Sequence, residues 1–104
     1  MNPLVNIPSM SLGSIAVASD ELVSTNLDGE IVILGFKSTS YYGLGGVGGF
    51  VWDLLQQPRK ISEIRDAILE EYDVEPARCE QDLFALLREL AGRQLVEITS
   101  ESLA

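Results

Sequence analysis

Apolar residues change their period partway along this chain. Between Leu22 and Leu44 they fall in short runs rich in Val, Ile, Thr and Tyr, which is how strands read. From Val47 onward they recur at three- and four-residue intervals, the spacing of one helix face. Leu22 to Leu27 and Glu30 to Phe36 flank Asp28-Gly29, a dipeptide whose tolerance of positive φ suits a two-residue hairpin turn. Ile31-Val32-Ile33-Leu34 is apolar at successive positions, which predicts a central strand covered on both faces. After the polar stretch Lys37 to Ser40, Tyr41-Tyr42-Gly43-Leu44 reads as a third, short strand that completes an antiparallel meander. Ile15 to Ala18 could form one more short strand, and Gln94 to Thr99 an extended exit.

The helical half opens with Gly45-Gly46-Val47-Gly48-Gly49, leading into a helix over Phe50 to Leu55 that Pro58 stops. A second helix is predicted from about Glu63 to Tyr72, with Ser62 as N-cap and Ile61, Ile64 and Ile68 as its buried stripe. The third starts near Pro76, a residue favoured in a first helical turn, and runs to about Arg93. Cys79, Leu83, Leu86, Leu87 and Leu90 share one of its faces. Strands followed by helices predict an α+β domain, here winged-helix-turn-helix-like, with a three-stranded antiparallel sheet followed by three helices. We expect a flexible arm over residues 1–14, the domain over 15–99, and a tail over 100–104.

Composition narrows the chemistry. With 104 residues and 46% hydrophobic content the chain can bury one modest core. One cysteine rules out an internal disulfide, and the lack of histidine removes the commonest zinc ligand and general base. We expect no catalytic residues, no metal, no cofactor and no enzyme activity. A formal charge of -9 repels phosphate backbones and anionic lipid, so neither nucleic acid nor membrane is expected as a partner. No stretch approaches the ~18 apolar residues of a membrane span, and the first residues lack a basic start before an apolar run. These features fit a cytoplasmic protein.

Several features invite sharper readings. The glycine cluster sits between a strand and a helix, as phosphate loops do, but it matches neither G-x-G-x-x-G in a parallel unit nor G-x-x-x-x-G-K-S/T. A tight strand-to-helix junction explains it better. A winged-helix DNA-binding regulator is the rival from another class, yet the third helix sets Glu80, Asp82 and Glu89 against Arg78, Arg88 and Arg93 and has no basic face. Cys79, on an apolar stripe, reads as a buried thiol. What remains is an interaction surface: a meander leaves its outer edges unpaired, and Tyr41 to Leu44 has no proline to blunt one. Phe84, off the centre of the core stripe, could wall a groove beside that strand, or it and both tyrosines could simply complete the core.

Taken in order, these segments resemble a known family. The hairpin is followed by Tyr42-Gly43-Leu44, by Gly48 with Val51-Trp52-Asp53-Leu54-Leu55, and by Ile61-Ser62-Glu63-Ile64. Glu71-Tyr72-Asp73-Val74 and Asp82-Leu83 through Leu90-Ala91 complete the series. Together they resemble the PqqD-like peptide chaperones, or precursor-peptide recognition elements, over roughly Leu22 to Val96. Where that family often has Leu-Asn before the first helix, this chain has Leu44-Gly45. The aromatic pair and the Trp-Asp-Leu-Leu helix are similar to the stand-alone versions of lasso-peptide clusters. The resemblance implies a domain that binds the leader of a ribosomally made precursor antiparallel along the third strand. It implies binding residues Tyr41, Tyr42, Gly43 and Leu44 on the strand and Arg78, Gln81, Asp82, Ala85 and Arg88 on the third helix. The implied further partners are a leader peptidase and a macrocyclase or other modifying enzyme, with the domain a monomer or weak dimer. A chaperone for a radical-SAM peptide-modifying enzyme is the alternative within the family.

Overall fold

The computed structural model describes residues 10–35 and 41–100. Its elements run β1 (Ile15–Ala18), β2 (Leu22–Leu27), β3 (Glu30–Gly35), β4 (Tyr41–Leu44), α1 (Val47–Leu54), β5 (Arg59–Lys60), α2 (Ile61–Glu71), α3 (Pro76–Gly92) and β6 (Val96–Thr99). The fold is α+β, with three helices and two antiparallel sheets of three strands each, ordered β2-β3-β4 and β5-β1-β6. The predicted turn over 37–40, most of the arm and nearly all of the tail lie outside the described residues.

The meander forms as the periodicity predicts. Asp28 and Gly29 take φ of 55° and 85°, the paired positive values of a twist-matched hairpin turn, and Asn26 Oδ1 accepts the Gly29 N–H at 3.0 Å. This sets Leu22 opposite Gly35 and Leu27 opposite Glu30, and β4 continues with Ile31 opposite Leu44 and Leu34 opposite Tyr41. Alternation then puts Ile31, Ile33 and Leu44 on one buried face. The expectation that both faces of β3 are covered is corrected here. Leu34 is 43% exposed, and with Val23, Leu27 and Tyr41 it lies on an open face that no described residue covers.

The second sheet was only partly foreseen. β1 and the exit strand β6 pair with each other, Ala16 opposite Ile98, and two-residue β5 adds to the other side of β1. Part of the expected arm is tied in as well. Ser14 is buried, Leu12 packs against the core, and their carbonyls accept the N–H groups of Ile61 and Ser62 at 2.9 Å. Packing therefore begins by Met10 rather than at Ile15.

Between the sheets and helices lies one core, centred on Ile33, Val51, Leu55, Ile61, Ile64, Leu87 and Leu90. Trp52 is 2% exposed, and its indole N–H donates to Ser24 Oγ at 3.2 Å, so the large ring is buried without an orphaned donor. α2 starts two residues earlier than Ser62 capping predicts. Lys60 is the N-cap residue, and the Glu63 carboxylate accepts its N–H at 3.0 Å, half of a capping box. The glycine cluster serves packing. Gly46 has φ 56° and ψ -130°, which only glycine adopts readily, and a Cβ on buried Gly49 would sit 3.4 Å from Ile31 and 3.5 Å from the Leu44 carbonyl.

Candidate functional site

Strand order limits where an extended partner could add: β2 and β4 are the outer strands of one sheet, and β5 and β6 those of the other. In β2-β3-β4 the last strand is an edge, and no described strand pairs with its outer side. Ile15–Ala18 and Val96–Thr99 pair with each other in the other sheet and so do not cap it. Alternate residues of β4 therefore turn N–H and C=O groups outward, and neither proline nor lysine blunts them. Along this edge Tyr41 is 71% exposed, Gly43 is exposed, Tyr42 is half-buried and Leu44 is buried.

The C-terminal half of α3 flanks the strand. Tyr42 Oη donates to Glu89 at 2.6 Å, Arg93 lies over the Tyr42 ring at 4.8 Å from its centroid, and Arg93 Nε pairs with Glu89 at 3.5 Å. These three side chains join edge strand to helix. The hydrogen bond to the Glu89 side chain raises the Tyr42 pKa above the usual tyrosine value; partial burial and the charge interaction with Glu89 add to that, and Arg93 opposes it.

Helical rotation of about 100° per residue sorts the predicted helix residues relative to Glu89. Arg78, Asp82 and Ala85 fall within about 40° of it and so lie on the same face of α3, about one to three turns nearer its N-terminus. Gln81 and Arg88 lie some 80–100° away, and Phe84 about 140° away. Phe84 is packed against the core from the other flank, so the structure does not place it as a wall beside Tyr42. Arg78 is exposed and occupied by Asp82, Nε to Oδ2 at 3.2 Å. Glu89 and Arg93 were missed. Their four-residue spacing, repeating that of Arg78 and Asp82 on the same flank, was a usable signal of a charged stripe. What no periodicity carries is the link to Tyr42, 47 residues away.

Among the described residues no cluster of three or more acidic or cysteine side chains could hold a metal ion. Cys79 is 6% exposed, and burial pushes its thiol pKa up, away from the reactive thiolate. Among those residues no helix is long and apolar enough to cross a membrane.

The family model described as coenzyme PQQ synthesis protein D (PqqD) matches residues 30–96, from the hairpin turn to the start of β6. The chain belongs to the PqqD family. Among solved structures, this PqqD-family chain is similar to one described as TbiB1 in complex with the TbiA(beta) leader peptide. The two are 41% identical, with a TM-score of 0.73, over 78% of this chain and 94% of that one. No curated protein matches.

Proposed function

We propose that this domain binds the leader segment of a ribosomally made precursor peptide as an added strand on β4 and delivers it to separate processing enzymes. One observation carries the reading: β4 is an edge to which no described strand adds, flanked by α3, in a PqqD-family chain 41% identical to a protein solved with a leader peptide. Strand addition draws its affinity from main-chain hydrogen bonds and its selectivity from pockets for alternate side chains. Tyr41, Tyr42, Gly43 and Leu44 supply the strand, and Arg78, Asp82 and Ala85, with Glu89 and Arg93, line the helix side. Gln81 and Arg88 stand further round the helix, where they meet a peptide that wraps over it, whereas Phe84 packs against the core on the opposite flank.

The domain does no chemistry of its own in this scheme. It raises the effective concentration of the attached core peptide beside a catalyst, in lasso-peptide synthesis a leader peptidase and then a macrocyclase. It works in the cytoplasm as a monomer or weak dimer. A second reading, which the resemblance to PqqD-like chaperones implies, is a chaperone for a radical-SAM peptide-modifying enzyme; it differs only in the enzyme served. DNA binding as a winged-helix regulator is disfavoured by the charge of -9 and by the mixed charges of α3.

Titrating a fluorescent TbiA(beta) leader into the full chain tests the reading. Binding should persist as salt rises, because backbone pairing and apolar pockets are weakly screened. Proline at Tyr42 and at Gly43, made separately, removes one outward and one inward amide. At least one folded variant should lose most of its affinity, and unchanged binding by both would reject β4 as the site.

A further inference from the structure

A cavity of about 780 Å³ opens at the head of β4, between Tyr41 and the turn from α3 into β6. Its apolar wall is formed by Ile33, Leu95 and Val96, and its rim carries Asp20, Glu21 and Glu97. The rim carboxylates are exposed, and among the described residues no cation pairs with any of them. Arg93 also lines the space, but its charge is met by Glu89 and its guanidinium rests on the Tyr42 ring. The C-terminal end of α3, the negative pole of its backbone dipole, opens on the same space through Gln94.

We infer that this cavity takes a lysine or arginine side chain of the bound peptide, from the stretch just C-terminal to the segment paired with β4. The inference rests on the strand-addition reading. Antiparallel pairing, which continues the pattern of this sheet, runs the peptide from Leu44 toward Tyr41, so its C-terminal side passes the cavity mouth. A long cationic side chain matches the chemistry there: its aliphatic stem lies on the apolar wall while its head reaches the acidic rim. A bare metal ion does not fit, since these carboxylates form no cluster able to hold one. The cavity then reads a charge, and the β4 edge reads shape.

An mRNA-displayed library of random peptides, selected on the full chain and eluted with the TbiA(beta) leader, separates the two ideas. Enriched peptides should carry Lys or Arg at a fixed offset after their strand segment, and replacing it by Gln should weaken binding about tenfold at low salt. That tenfold preference should vanish in Asp20→Asn/Glu21→Gln/Glu97→Gln. It should survive in Glu70→Gln/Glu71→Gln/Asp73→Asn, which removes the same charge from a distant exposed surface. In the wild type, high salt should erase the preference and leave the remaining affinity, a readout that needs no variant to fold. Enriched peptides without a positional cation, or a preference that the rim variant keeps, would overturn the cavity assignment and leave strand addition standing. Failure to enrich any peptide would overturn strand addition, and the cavity assignment with it.

Discussion

Removing one oxygen atom from Tyr42 isolates the contact that ties the candidate binding strand to α3. In Tyr42→Phe the 2.6 Å bond to Glu89 is lost, while the ring beneath Arg93 is kept. Hydrogen bonds to charged groups contribute about 1.5–3 kcal/mol when well shielded. Here Glu89 is 52% exposed and Tyr42 only half-buried, so solvent screening reduces the expected loss to about 1 kcal/mol. For a domain of this size that lowers Tm by roughly 4–8 °C. The pH dependence has a definite sign. Because the folded Tyr42 pKa is raised, its stabilisation is complete below the unfolded tyrosine value of about 10 and is lost as pH climbs through the folded value. Thermal unfolding followed by circular dichroism from pH 7 to 11 should show the wild type losing this advantage at alkaline pH, and Tyr42→Phe should lack that component. Equal Tm values at neutral pH, with equal alkaline slopes, would refute the reasoning.

Leu87→Ala, at a side chain with no exposed surface, should cost about 2–5 kcal/mol in urea unfolding, a large share of the 5–15 kcal/mol typical of a small domain. Gly46→Ala should cost roughly 1–3 kcal/mol by the same assay, because its φ of 56° with ψ of -130° suits only glycine, although a Cβ there meets no neighbour within 4 Å. Cys79 should resist iodoacetamide at pH 8 until the chain unfolds, since burial holds its thiol protonated; labelling of the native protein at the rate of a free thiol would contradict this.

Local signals in the sequence were read correctly where they arise from local physics. Asp28-Gly29 turned as its tolerance of positive φ demands, and the stripe of Cys79, Leu83, Leu87 and Leu90 became the buried side of α3. The second sheet was harder to see, because β5 is two residues long and pairs with β1 some 44 positions away in the chain. Consecutive apolar residues in β3 were misleading in one respect. Val32 and Leu34 match the hydrophobic pattern of a fully covered strand, yet they face outward on a sheet whose helices all pack on its other side. At the candidate site, Tyr41 to Leu44 stood out as an edge strand from its place at the end of the meander and its lack of a blunting proline. Glu89 did not, because its partner Tyr42 is brought to it only by the packing of α3 beside the sheet.

Amide hydrogen exchange of Tyr41 to Leu44, measured residue by residue with and without the TbiA(beta) leader, tests the central claim most directly. The account predicts that the outward-facing N–H groups, at alternate positions of β4, slow markedly when the peptide binds, while those already bonded to β3 change little. A peptide that binds and leaves all of these amides exchanging at their free rates would contradict it.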